Sequence, residues 1–279
     1  MSVTQTISKK PQHILLDFSH VYDDERLAGL KMVHWEDCSN IAECDLYCSD
    51  RAAREIWAHI CPHGIDGVHF LDSGNYHYVT KIITDHIQEP FVLLVFDHHT
   101  DMQQPLIEDM ISCGDWAGKV LQENDRLGQL ILMGPQKADL DAISPDADGS
   151  SRLLTFSEEE LHRAPDTKKL KKIRRDLPVY ISIDKDILDV RYSETNWSQG
   201  DMSLDRLEDI LWPVLKGARV LGIDICGECQ QGTPLPEYLE AEKINGETNS
   251  ELFSFIRSCM YKEKPDCAEN KKQNPAERK

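Results

Sequence analysis

Long hydrophobic runs are missing from this chain of 279 residues: its longest uninterrupted apolar stretch is Phe91 to Phe96. A bilayer crossing takes roughly 20 apolar residues, so no transmembrane helix is expected. Basic residues are scarce as well. Lys and Arg number 31 against 49 Asp and Glu, a formal net charge of −18, which repels a nucleic-acid backbone or an anionic membrane surface at long range. The partners left are small, cationic or metallic. No apolar segment follows the basic residues of the starting stretch MSVTQTISKKPQ, so it does not read as a secretory signal and a cytoplasmic location is expected.

A disulfide framework is missing too. The nine cysteines are odd in number and irregularly spaced, which points to reduced thiols rather than to the bridges of a small secreted domain. Cys226 and Cys229 form one C-x-x-C, but a structural zinc site needs four ligands and no second pair accompanies them. Repeats and low-complexity linkers are also absent, so residues 1–261 read as a single domain. Residues 262–279 are charged, punctuated by proline and almost without apolar side chains, and are expected to form a flexible tail.

Apolar, β-rich runs alternate with amphipathic stretches, the pattern of crossover units on a parallel sheet. Strands are expected at His13–Phe18, Gly67–Leu71, Phe91–Phe96, Gln129–Met133, Leu153–Phe156, Val179–Ile183 and Val220–Ile225. FVLLVF and PVYISI are apolar on both faces, which suits central strands covered by helices on either side. Helices are expected after Asp50, over Tyr78–Gln88, after Asp115 and after Ser203, with a basic helix over Thr167–Arg175.

Chemistry concentrates where two of these strands end. In FVLLVFDHHTDMQ a buried strand runs straight into ionisable residues, and the carboxyl ends of strands are where open α/β sheets build sites. If the extended backbone continues, Asp97, His99 and Asp101 share one face while His98 turns away. PVYISIDKDILD repeats the arrangement, with Asp184 and Asp186 on one face and Lys185 on the other. Buried together, such groups are costly to desolvate, and divalent cations are the simplest compensation. Four carboxylates balance two divalent cations and can bridge them, which imidazoles cannot. His77, in FLDSGNYHYVTKI, is a further candidate ligand beyond a glycine turn at Gly74.

GNYH, then DHHTD, then DKD resembles the signature of the ureohydrolases, the family of arginase, agmatinase and formimidoylglutamase. The resemblance covers about residues 13 to 260 and implies a three-layer αβα sandwich on a doubly wound, mainly parallel sheet. It implies two Mn²⁺ ions, one held by His77, Asp97, Asp101 and Asp184, the other by Asp97, His99, Asp184 and Asp186, with Asp97 and Asp184 bridging. The implied reaction is hydrolysis of a C–N bond in a guanidino, formimino or related linear amidine or amide substrate. A metal-bridging hydroxide attacks, and Asp101 passes the proton to the leaving amine. The expected partners are a small, cationic substrate and, in a homo-oligomer, further copies of this chain; recognition loops are expected around Gln103–Ile111 and Arg191–Met202.

Two positions depart from the family pattern. Cys113, in ISCGDW, stands where relatives carry a proton-shuttling histidine. The last strand reads GIDICGE, with Gly227 in the slot of the glutamate that grips a guanidinium and Glu228 one place later. A bulge at Gly227 would return Glu228 to the substrate; a surface turn at GECQQGTP is the competing reading. These departures motivate an alternative, a catalytically inactive metal-bound relative. A weaker rival is a DHH-type phosphoesterase, suggested by DHH and by DADGSS at Asp146–Ser151, although the order of the two motifs is reversed.

Overall fold

Strand β5 (Phe91–Phe96) shows how the sheet is built. Phe91, Leu93 and Val95 join one buried cluster and Val92, Leu94 and Phe96 another, so the period of two puts alternate side chains into two separate cores. The computed structural model describes residues 11–22, 32–143, 150–163, 166–229 and 232–261. All seven expected strands are present: β1 (His13–Asp17), β4 (Val68–Phe70), β5, β7 (Leu127–Gly134), β8 (Leu153–Ser157), β9 (Val179–Asp184) and β10 (Val220–Cys226). With β2 (Val33–Asp37) they form an eight-stranded sheet of order β2-β1-β4-β10-β9-β5-β7-β8, in which every pairing is parallel. The short β3 (Tyr47–Ser49) and β6 (Met110–Ser112) pair antiparallel beside it.

Helices cover both faces. Asp50–Ile60, Val79–Thr84 and Trp116–Glu123 pack on the side of Leu93 and Tyr180, while Leu204–Gly217 and the long helix Leu235–Met260 pack on the side of Leu94 and Ile181. The first helix is capped by the Ser49 hydroxyl, which accepts the Ala52 N–H, so the cap lies one residue before the expected Asp50. Ser203 caps its helix as expected, accepting from Arg206. The expected helix over Tyr78–Gln88 is confined to Val79–Thr84, and the basic helix over 167–175 to Thr167–Leu170. Among the described residues no helix is long and apolar enough to cross a membrane. The expected tail at 262–279 and the Asp146–Gly149 part of the phosphoesterase-like motif lie outside the described residues.

The strand order positions the site. The chain passes from β4 to β5 across a gap that β9 and β10 fill later, so four strand ends from distant parts of the sequence meet at one edge.

Candidate metal centre

Phe96 is the register partner of Ile183, so Asp97 and Asp184 leave neighbouring strands side by side. Cys226 pairs in register with Asp184 on the other flank of β9. His77 arrives from the turn after β4, at the end of a short 3₁₀ segment, Gly74–Tyr76; a side chain at Gly74 would strike Trp197 and crowd Asp184. His77, Asp97, Asp184 and Asp186 are buried; Asp101 and His99 are partly exposed on a cavity of about 210 Å³.

The six residues expected as ligands are gathered at this sheet edge, but not by continued strand geometry. β5 stops at Phe96, and the Asp97 carboxylate accepts the His99 N–H at 2.5 Å, closing a tight turn. Asp101 then sits at φ +49°, in the left-handed region. Asp184 repeats the device by accepting the Asp186 N–H at 2.9 Å, and Asp186 in turn accepts the His98 N–H at 2.9 Å. Local turns thus replace the extended backbone: a carboxylate two residues before a free N–H bonds it more readily than the strand can be prolonged.

His77 Nδ1 lies 3.1 Å from Asp101, 3.2 Å from Asp97 and 3.5 Å from Asp184, yet it is buried and lacks hydrogen-bond geometry to any of them. On its other side Nε2 meets the Ser182 hydroxyl at 2.9 Å, and that hydroxyl donates to Asp224 at 2.6 Å. An imidazole fixed by one nitrogen, with the other aimed unpaired into a ring of carboxylates, is what a metal ligand requires. His99 Nδ1 lies 2.7 Å from Asp186 and 3.5 Å from Asp97, and its Nε2 meets Ser198 at 2.9 Å. Three candidate ligand groups result: His77–Asp97–Asp101 and Asp97–His99–Asp186, which share Asp97, and His77–Asp184–Cys226.

The electrostatics call for positive charge. Burial, reinforced by Asp186, pushes Asp184 up to about 7, and burial with Asp97 pushes Asp186 up to about 6. Burial works against a protonated His99, but its hydrogen bonds to the Asp186 and Asp97 carboxylates overcome it and push the ring up to about 11. For His77 burial is likewise outweighed, by Cys226, Asp101 and Asp97, which hold the ring well above its ordinary range. Four carboxylates in so little space favour cations, protons included. The donor set, rich in oxygen with two imidazoles, suits Mn²⁺-like ions.

Other expected residues are placed differently. Cys113 lines the cavity, and burial together with Asp101 pushes its thiol up to about 12. His98 is buried beside the cluster and belongs to none of the three ligand groups. Glu228 is not in a surface turn: Gly227 adopts φ +92°, the N–H groups of Gly227 and Glu228 both donate to the Asp72 carbonyl, and the Glu228 side chain is buried. Nor does Glu228 join the cavity wall. Its Oε1 meets Lys185 Nζ at 2.5 Å and accepts from Asn249 at 2.8 Å. Cys226 and Cys229 are free thiols, and Cys226 donates to Asp184 rather than pairing with Cys229.

Sequence reasoning did not anticipate Trp116, whose indole N–H donates to Asp101 Oδ2 at 2.5 Å while its ring leans on His77 at 4.7 Å between centroids. Ser182 and Asp224, which orient His77, were also not singled out as its partners. Gln103 and Trp197 line the cavity from the two segments expected to carry recognition loops.

An all-parallel sheet between two helical layers, with acids and imidazoles converging at its carboxyl edge, defines a hydrolase-type αβα fold. The chain belongs to the arginase family, whose sequence profile matches residues 39–227. A Thermotoga maritima protein described as uncharacterized is 31% identical over 250 residues, covering 87% of this chain and 90% of that one. Formimidoylglutamase from Bacillus subtilis shares the fold with a TM-score of 0.60 at 14% identity, covering 90% of this chain and 86% of that chain. Formiminoglutamase from Trypanosoma cruzi, solved with Mn²⁺, gives a TM-score of 0.57 at 11% identity, covering 87% of this chain and 91% of that one.

Proposed function

We propose that this chain is a binuclear metal-dependent hydrolase that cleaves a C–N bond in a small linear amide, amidine or formimino compound, with residues 1–261 as one catalytic domain in the cytoplasm. The observation that carries the reading is the buried His77 Nδ1, unpaired and aimed at Asp97, Asp101 and Asp184. His77, Asp97, Asp101 and Asp184 would hold one Mn²⁺, and Asp97, His99, Asp184 and Asp186 the other. When bound, such a pair supplies a water activated near neutral pH and a Lewis acid for the substrate.

The chain's own residues do the rest. Asp97 and Asp184, at the ends of adjacent strands, would be shared by the two positions. Asp101 faces the cavity with one oxygen fixed by Trp116, placed to take a proton from the attacking water and return it to the leaving amine. Gln103, Ser112 and Trp197 offer the substrate hydrogen bonds and an aromatic wall. Cys113 contacts substrate rather than shuttling protons, since a thiol pushed up to about 12 stays protonated at neutral pH. Glu228, the carboxylate expected to grip a cationic substrate, is engaged by Lys185 instead. Outside the ligand cluster no carboxylate of the described residues lines the cavity, which favours a substrate end without fixed charge.

The same engagement of Glu228 favours one second reading, a metal-bound relative without turnover. Metal analysis combined with detection of urea, formamide, ammonia and the freed amine from guanidino, formimino, ureido and amide compounds separates the two. Two ions per chain with hydrolysis products from one class supports the hydrolase, while two ions without product from any class leaves the inactive relative. Failure of the wild type to bind divalent metal, or retention of two ions by Asp184→Ala, defeats both.

A further inference from the structure

β9 and β10 present two successive rungs to His77. Ser182 pairs in register with Asp224, and Asp184 pairs with Cys226. Residues two apart on a strand face the same way, so Asp224 and Cys226 point to one side of the sheet with Ser182 and Asp184. The first rung takes His77 Nε2 through the Ser182 hydroxyl. The second faces His77 Nδ1, the buried nitrogen with no hydrogen-bond partner.

Cys226 is fully buried, and its sulfur lies 3.1 Å from Asp184 Oδ2, the same oxygen that approaches His77 Nδ1. The donor atoms of His77, Asp184 and Cys226 all fall within 4.8 Å of one another, close enough to share one ion. The sulfur thus stands beside the His77 position, on the Asp184 side.

We infer that Cys226 is a sulfur ligand, or an exchangeable one, to the cation held at His77, making that position softer than the oxygen-rich one at His99. This rests on the binuclear reading above and goes beyond it. Coordination replaces the S–H proton, which passes to solvent as the sulfur–metal bond forms. Thiolate donors select Co²⁺, Fe²⁺ or Zn²⁺ over Mn²⁺, whereas carboxylates do not. The two positions therefore differ in metal preference: the one bounded by Cys226 takes the softer ion from a mixture, and the one bounded by Asp186 takes the harder.

Cobalt tests this without any assay of turnover. The full-length protein, freed of metal and titrated with Co²⁺, should show a near-ultraviolet thiolate-to-cobalt charge-transfer band that saturates with one of two bound ions. Cys226→Ser should still bind two ions but lose the band, and its preference for Co²⁺ over Mn²⁺ at the first position should fall by about tenfold or more. Cys113→Ser, the nearby cavity thiol, should keep the band. Two bound Co²⁺ ions without the band, or a band that survives Cys226→Ser, overturns the inference while leaving the binuclear reading intact. A wild-type protein that binds no Co²⁺ and no Mn²⁺ fails the binuclear reading itself, and the inference with it.

Discussion

Lys185 Nζ and Glu228 Oε1 meet at 2.5 Å with both side chains buried, so a cation and an anion from the ends of adjacent strands neutralise each other beside the candidate ligand cluster. The pair depends on Gly227: a Cβ there would come within 2.5 Å of Asp184 Oδ1 and 2.8 Å of the Lys185 nitrogen. Only glycine brings β10 close enough to turn Glu228 toward Lys185 instead of toward the cavity.

Removing one partner leaves the other buried and uncompensated, which costs about 3–5 kcal/mol. Lys185→Met is expected to destabilise by that amount in urea unfolding. Lys185→Met combined with Glu228→Gln should recover most of the loss, because glutamine can still accept from Asn249. The double variant should also keep its turnover on an uncharged substrate. A Lys185→Met protein as stable as the wild type would show that the pair holds nothing together, and abolished turnover in a stable double variant would return Glu228 to the substrate.

The Cys113 thiol, pushed up to about 12 by burial and Asp101, stays protonated through the range where such enzymes work. Cys113→Ser is therefore expected to keep kcat within about threefold and to leave both limbs of the pH profile in place, with any change appearing in KM. Loss of one limb in the variant would mean that the thiol does move a proton.

The strands were legible because seven of them are covered on both faces or nearly so, and burial on both faces writes a continuous apolar run. β2 is an edge strand, VHWED, exposed or half-exposed along its length, and its sequence has no such run. The helix Leu235–Met260 escaped for the opposite reason. Its buried side includes Asn245, Gly246, Thr248 and Asn249, so apolar periodicity breaks down where the helix packs hardest. Those polar residues are spent on distant partners: Asn245 bonds the Glu194 backbone at 2.8 and 2.9 Å, and Asn249 bonds Glu228.

At the candidate site, ligand types and order were readable because D-x-H-x-D and D-x-D sit at strand ends with local spacing. What orients them was not. Ser182 lies 105 residues from His77, and Asp224 lies 42 residues from Ser182, so no local pattern joins them. The fate of Glu228 was hidden likewise, being decided by a lysine 43 residues away on the neighbouring strand. The period-two argument named the right neighbours by the wrong geometry, since turns at Asp97 and Asp184 do the gathering.

His69, on β4, is fully buried, and burial, with smaller contributions from His13 and His63, pushes its ring down to about 3. It is neutral when folded, while the unfolded chain takes up a proton below about 6.5, so its contribution to stability is complete above that pH and lost on acidification toward 3. Between pH 7 and pH 5 the loss attributable to this group is about 2 kcal/mol. Asp72 and Asp224, both pushed up to about 6 chiefly by burial, act in the opposite direction over the same range. The contribution is therefore read as a difference: His69→Gln should lose about 2 kcal/mol less than wild type between those pH values in parallel denaturant titrations. Identical losses in the two proteins would show that His69 exchanges no proton on unfolding.

Trp116 fixes Asp101 through one hydrogen bond and His77 through ring contact, so it would act on a cation held by these two residues without touching it. Trp116→Phe keeps most of the buried ring and deletes only the N–H, leaving Asp101 Oδ2 free to turn toward the cavity. Groups that orient metal ligands in this way are worth about 10–100-fold in metal affinity when removed. We therefore expect Trp116→Phe to weaken binding at the His77 position by that factor while leaving the His99 position within about twofold, as resolved by calorimetric titration of the metal-free protein. The asymmetry is the decisive feature. Equal weakening at both positions would mean that the substitution disturbs the whole strand edge, and no weakening at either would count against Asp101 as a ligand that Trp116 holds in place.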